Sequence, residues 1–192
     1  NGTKEVTLLG QNVSAFGLNQ SMVHRPVESP FSELLEKICD IDAIKRVRFI
    51  SPHPYFFNDK LIDSIIKLQP KVCNCIHLPL QSGSDRILSK MNRRYNIEIN
   101  MNIVNKLKSK IEDITFSTDI IVGFPGETEE DFNKTREIIN EVSFDNIYIF
   151  KYSPRKGTPS AEYLDQIAQS IKEQRNQLLL SDLKGITTKR NK

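Results

Sequence analysis

Short apolar runs rich in β-branched residues recur along the chain, at residues 5–9, 46–50, 75–80, 115–122 and 146–152, each closed by polar or glycine-containing residues. Runs of this length bounded by turn signals read as strands. Between most of them the apolar period lengthens to that of a helix. Leu34, Leu35 and Ile38 share one face, as do Leu61, Ile62, Ile65, Ile66 and Leu68. Ile99, Ile103, Leu107 and Ile111 recur at intervals of four with Val104 beside them, which predicts a strongly amphipathic helix. A last helix is predicted over about 166–184. Helix-start signals fall where the periodicity wants them. Ser29 precedes Pro30, Asn58 precedes the second helical pattern, and Thr128 with Asp131 three residues on resembles a capping box. The acidic residues Glu129, Glu130 and Asp131 suit the positive end of a helix dipole.

Strand and helix patterns that alternate in this way predict βα units and a parallel sheet, an α/β fold with helices on the outer face. No apolar run approaches the ~20 residues of a spanning helix, and no secretory signal pattern opens the chain, so no membrane association and a cytoplasmic setting are expected. The formal net charge of +3 neither demands nor excludes a nucleic-acid partner. The basic residues are spread out apart from a small cluster at Lys189, Arg190 and Lys192. Three cysteines, Cys39, Cys73 and Cys75, argue against a disulfide framework. Cys73 and Cys75 are expected as small buried thiols of one strand, facing opposite ways, and with no second pair at ligand spacing a zinc site has little support. The chain opens on Asn1 and enters its first strand almost at once, as a sequence joined mid-domain does.

Working residues of parallel βα folds gather at the carboxyl ends of strands. Gly10-Gln11-Asn12-Val13 follows the first strand and offers a close backbone approach and two carboxamides suited to a zwitterion; it also fits a plain polar turn. Ser51-Pro52-His53-Pro54 follows the second, a stiff loop whose His53 suits a phosphate or proton transfer, or a surface histidine. The third strand passes into Gln81-Ser82-Gly83-Ser84-Asp85-Arg86, a turn exposing amides and hydroxyls at a helix start. The fourth ends in Gly123-Phe124-Pro125-Gly126-Glu127-Thr128, a fixed turn beside an aromatic ring that lacks the ending of a phosphate-binding P-loop. Tyr152-Ser153-Pro154-Arg155-Lys156-Gly157-Thr158-Pro159 follows the fifth, a basic, proline-bounded loop suited to a nucleic-acid backbone or to solvent. Five consecutive strand ends with polar, restricted loops favour a ligand-binding rim.

These strings carry a resemblance. Leu8-Leu9-Gly10-Gln11-Asn12-Val13, Arg48-Phe49 with Ser51-Pro52-His53-Pro54, and residues 77–85, 119–127 and 152–159 are similar, in order and spacing, to the radical S-adenosylmethionine methylthiotransferases, specifically the tRNA-modifying MiaB-type branch. The branch that acts on a ribosomal protein typically has histidine after the glutamine of the third loop and Gln-Asp-Thr in the first. The resemblance covers nearly the whole chain. It implies a partial (β/α) barrel of the radical-SAM type, with residues 1–165 as barrel strands two to six and 166–192 as a C-terminal helix and basic tail leading toward a further domain. The family layout also has an N-terminal domain with three cysteines for an auxiliary cluster, a Cys-x3-Cys-x2-Cys motif for a 4Fe-4S cluster, and a C-terminal β domain. This chain carries neither cysteine set.

The activity implied is transfer of a methylthio group to C2 of N6-dimethylallyladenosine beside the anticodon. A reduced cluster would pass one electron to S-adenosylmethionine, and the resulting deoxyadenosyl radical would activate the base. A ribosomal-protein methylthiotransferase and an inactive truncated remnant are the competing expectations. The implied partners are tRNA, through its anticodon stem-loop, and a reductant protein. Carried over by motif position, Gln11 and Asn12 would face the methionine amino group, Gln81 and Ser82 the ribose, and Arg93 the carboxylate. Gly123, Phe124 and Ser153 would border the adenine, while His53, Tyr152 and Arg155 would face the substrate.

Overall fold

In the computed structural model, residues 2–19 and 24–190 are described, and the basic cluster at Lys189, Arg190 and Lys192 lies outside the described side chains. The chain divides into two compact units, Asn1–Pro79 with Glu98–Phe116, and Leu80–Ile97 with Ser117–Lys192. Among the described residues no helix is long and apolar enough to cross a membrane.

The first unit holds β1 (Glu5–Leu8), α1 (Pro30–Cys39), β2 (Arg46–Phe49), α2 (Asp59–Lys67), β3 (Cys75–His77) and nearly all of α4 (Ile97–Lys108). β1 and β2 run parallel, with Glu5 opposite Arg46 and Leu8 opposite Phe49. A further parallel bridge joins Val47 to Val72. The expected caps form. The Ser29 hydroxyl accepts from the Ser32 amide, and the Asn58 carboxamide oxygen accepts from the Leu61 amide. Phe31, Leu35, Val47, Leu61, Ile62, Ile65, Ile103, Val104 and Leu107 are buried, while Leu34, Ile38, Ile66, Leu68 and Ile99 of the apolar stripes read from the sequence are half-buried. Burying each such side chain stabilises the fold by about 1.5–3 kcal/mol. β1 is the edge of its sheet and is largely exposed, and Glu5, paired to Arg46 and Arg48, places charge on that edge.

The second unit holds α3 (Asp85–Lys90), most of β4 (Thr115–Val122), α5 (Glu129–Val142), β5 (Asn146–Lys151) and α6 (Gln169–Arg190). β4 and β5 are parallel, with Asp119 opposite Tyr148 and Ile121 opposite Phe150. β4 alternates strictly. Phe116, Thr118, Ile120 and Val122 are buried, while Ser117, Asp119 and Ile121 are half-buried on the other face. One face is therefore packed and the other is left for chemistry. The run predicted over 75–80 ends its ladder at His77, because Pro79 has no N–H to donate. Pairing resumes when the Gln81 amide donates to the Asp119 carbonyl and the Ile121 amide donates to the Gln81 carbonyl. α6 runs to Arg190, beyond the predicted end, packing on β5 and α5.

Two cysteine expectations are corrected. Cys75 is exposed and Cys73 half-buried, and only Cys39 is a buried thiol. Cys73 and Cys75 line the same cavity rather than facing opposite ways. Cys73 lies before β3, and the bend at Asn74 between them interrupts the alternation of a strand.

Candidate functional site

The second unit carries a cavity of about 550 Å³ at the carboxyl ends of β4 and β5. That volume suits a small-molecule ligand. Gln81, Arg93, Asp119, Tyr152, Ser153 and Arg155 are among its lining residues. Arg93, Arg155 and Lys151 supply three cations against the one carboxylate of Asp119.

Gln81 is held in an unusual conformation, with φ of 67°. Its amide and carbonyl are both committed to β4, so the left-handed turn is what aims its side chain. Arg93 donates to the Gln81 carboxamide oxygen at 3.4 Å, which leaves the carboxamide N–H₂ as the donor end. Two buried polar atoms of the lining have no hydrogen-bond partner among the described residues, Arg93 Nε and the Tyr152 hydroxyl. Buried polar groups are normally satisfied, so these two ask for a polar ligand.

Other motif residues build the wall behind this cavity. Ser82 is fully buried, and its hydroxyl accepts from the Ser84 amide at 3.2 Å. The Gly83 amide donates to Thr135 Oγ1, and a Cβ at Gly83 would run into the backbone of Lys134 and Thr135 on α5. Asp131 ties the third loop to the fourth. It accepts from Ser84 Oγ at 2.6 Å, from the Thr128 amide and hydroxyl, and from Arg86. Burial pushes its carboxyl up, but the hydrogen bonds from Arg86, Ser84 and Thr128 outweigh that and hold it well below the usual carboxylate range.

Gly123 has φ of 71°, its amide donates to Glu127 Oε2 at 2.7 Å, and Lys172 fills the space where a Cβ would go. Phe124 is buried and packs edge-on to Tyr152 and Tyr163 at 5.1 and 6.5 Å. Lys172 donates to the Tyr152 carbonyl and lies 5.2 Å from its ring centroid, so Tyr152 is braced on two sides. Glu127 and Arg175 form a buried ion pair at 2.5 Å, and burial is the chief influence on the Glu127 carboxyl, raising it against the pull of the Gly123 amide and Arg175.

The remaining predicted residues stand in the first unit, at the ends of β1 and β2. Ser14, unremarked in the sequence, is fully buried and joins them. Its hydroxyl accepts from the His53 amide at 2.8 Å and reaches Asn12 Oδ1 and the His53 carbonyl. Asn12 thus presents its N–H₂ end, as Gln81 does. The His53 ring caps the next turn, Nδ1 accepting from the Tyr55 amide at 3.3 Å. Gln11 is exposed.

The structure thus brings Gln81, Arg93, Tyr152, Ser153 and Arg155 to one cavity, whereas Ser82, Gly123 and Phe124 are buried and are not among its lining residues. Asp119 and Lys151 were missed as lining residues, although the half-buried alternation of β4 and the register with β5 mark their positions.

A prediction follows for Asp131. Its folded-state carboxyl lies below the ordinary value of about 3.9, so its contribution to stability is complete above that pH and is lost as pH falls below it. The urea midpoint of the wild-type chain should therefore fall more steeply between pH 5 and pH 2.5 than that of Asp131→Asn; parallel curves would contradict the assignment.

The Radical SAM superfamily profile matches residues 1–139. The chain is 51% identical over 190 residues to a protein of Opitutus terrae named tRNA-2-methylthio-N(6)-dimethylallyladenosine synthase, covering 99% of this chain and 39% of that one. Proteins of the same name from Caldicellulosiruptor saccharolyticus and Akkermansia muciniphila are 49% and 46% identical across the whole chain, covering 39% and 41% of their lengths. The chain thus spans about two fifths of the curated relatives it matches. Among solved structures it resembles coproporphyrinogen III oxidase of Escherichia coli, a radical SAM enzyme, with a TM-score of 0.55, 15% identity and coverage of 81% of this chain and 44% of that one. It also resembles Elp3 of Methanocaldococcus infernus, with a TM-score of 0.53, 20% identity and coverage of 82% and 39%. The α/β architecture of parallel strands and helices is shared with both. This chain belongs to the radical SAM superfamily.

That membership implies S-adenosylmethionine and an iron–sulfur cluster. The second unit's cavity fits a polar ligand of nucleoside size, on the evidence of its volume and its two unsatisfied polar atoms. For the cluster the described residues do not fit, because no group of three or more His, Cys, Asp or Glu is placed to hold a metal ion. Burial pushes the Cys39 and Cys73 thiols up, away from the thiolate a cluster requires. Anaerobic reconstitution of this chain with iron and sulfide should leave no stoichiometric cluster after gel filtration; a reproducible four-iron content would overturn that expectation.

Proposed function

We propose that this chain is the cofactor-binding and substrate-facing part of a tRNA methylthiotransferase, which adds a methylthio group to C2 of N6-dimethylallyladenosine beside the anticodon. The observation that carries the reading is 51% identity over 190 residues to a synthase of that name. The loops after the first and third strands support it, since Gly10-Gln11-Asn12-Val13 and Gln81-Ser82-Gly83-Ser84 resemble the tRNA-modifying branch rather than the one that acts on a ribosomal protein; the fifth loop departs from the family at Lys156, where proline is common. A cytoplasmic setting and a reductant protein as partner belong to the same reading. Arg155 and Lys156, both exposed, suit the phosphates of a stem-loop.

S-adenosylmethionine is the ligand assigned to the second unit's cavity, where, once bound, it supplies the one-electron chemistry. This chain's own residues would position it. Gln81 offers a donor pair, because Arg93 occupies its oxygen. Arg93 Nε and the Tyr152 hydroxyl would gain their missing partners, and Ser153 lies on the same wall.

The test is a chimera of the Opitutus terrae relative in which this chain replaces its counterpart, expressed in cells lacking their own enzyme. Nucleoside mass spectrometry should show the methylthio group restored on prenylated tRNA. Untouched tRNA together with a methylthiolated ribosomal-protein peptide would refute the reading. In the same chimera, Gln81→Ala and Tyr152→Phe should each weaken S-adenosylmethionine binding by about 0.5–1.5 kcal/mol, roughly twofold to tenfold by calorimetry. Unchanged affinity in both removes them from the site.

A further inference from the structure

A second cavity, of about 470 Å³, lies in the first unit, and no role above uses it. Cys73, Cys75, Arg46, Arg48, Asn74 and Glu112 are among its lining residues. Cys75 is exposed at the start of β3, and Cys73 stands half-buried two residues earlier. Between them the chain bends at Asn74, whose side chain is tied to the Asp113 carbonyl at 3.0 Å. Two residues of extended chain separate Cα atoms by about 6.6 Å, near the upper end of the disulfide range of about 4.4–6.8 Å, and a bend shortens that span. Arg46 and Arg48 project from β2 to the same cavity, and their guanidiniums lie close enough to Cys73 to pull against the effect of its burial. Both arginines are about half exposed, paired on one edge to Glu5.

We propose that Cys73 and Cys75 form a reactive dithiol site selective for anionic disulfides such as glutathione disulfide. The exposed Cys75 is the attacking thiol, accessible and sharing its cavity with the half-exposed Arg46 and Arg48 and with Glu112. Its thiolate attacks one sulfur of glutathione disulfide. A Cys75–glutathione bond forms, the oxidant's S–S bond breaks, and one glutathione thiolate leaves with the proton that Cys75 gave up. Cys73 then attacks the Cys75 sulfur, its proton passing to the second glutathione as that thiolate is displaced. Two cysteines are oxidised to one disulfide, and one glutathione disulfide is reduced to two thiols. Arg46 and Arg48 attract the carboxylates of the incoming molecule, an effect that salt screens.

The test uses glutathione disulfide itself, with cystamine as the cationic comparison, followed by peptide mass spectrometry of the chain. The wild type should lose two hydrogens in the peptide holding both cysteines. Cys73→Ser should stop at the glutathione adduct on Cys75, and Cys75→Ser should give neither product at the wild-type rate. Reaction with glutathione disulfide should be about tenfold faster on the folded chain than in urea, with the preference over cystamine reduced by Arg46→Ala and by high salt. Equal rates in urea, equal rates with cystamine, or no adduct on Cys75 in Cys73→Ser would each overturn the proposal.

Discussion

Replacing Glu127 with alanine should destabilise the chain by about 3–5 kcal/mol, because it leaves the Arg175 guanidinium buried without its counter-charge. The side chains of Glu127 and Arg175 are 1% and 7% exposed, so water cannot make up the loss. Arg175 would keep the Glu127 carbonyl and a longer contact to Glu129, whose side chain is 70% exposed and screens poorly. The Gly123 amide would lose its acceptor in the same step, loosening the turn that backs the cavity wall. Thermal unfolding should fall by roughly 10 °C, given that each kcal/mol shifts a domain of this size by about 2–4 °C. A loss of less than about 1 kcal/mol would mean that water reaches Arg175 after all.

Gly83→Ala should cost about 3 kcal/mol, an unusually large penalty for adding one methyl group. The obstruction is backbone, the peptide between Lys134 and Thr135, so no side chain can swing aside. Either α5 moves or the loop does, and both outcomes disturb the Gly83–Thr135 hydrogen bond and displace neighbouring Gln81. In the chimera the same change should weaken S-adenosylmethionine binding. Gly185→Ala is the control. It lies within α6 with nothing near its added Cβ, and should stabilise by about 0.5–1 kcal/mol. Similar urea midpoints for the two variants would refute the close packing at Gly83.

Much of the fold was legible along the chain because its signals are local. The apolar run at 115–122 returned as β4 with the same bounds, and the caps at Ser29, Asn58 and Thr128 formed where the residue types placed them. Periodicity and capping act over three or four residues, so sequence alone carries them. The loops that follow the strands were also legible, as polar and glycine-rich strings.

What sequence could not divide was the labour within each string. Gln81 and Ser82 are adjacent and both polar, yet Gln81 lines the cavity and Ser82 is sealed behind it, because a left-handed φ at Gln81 turns successive side chains apart. Gly83, part of a turn read only as exposing amides at a helix start, packs against α5, some fifty positions along. Glu127 and Arg175 are ordinary charged residues in the sequence and become a buried pair only when α6 closes over the fourth loop. The two cysteines show the same limit. Expected on opposite faces of one strand, they line one cavity, because the bend at Asn74 sets Cys73 outside β3, and their arginine neighbours come from β2. Local periodicity thus determined the elements of this protein. Long-range packing decided which residues face the cavity and which hold its wall, because burial and charge pairing are set by atoms distant in the chain.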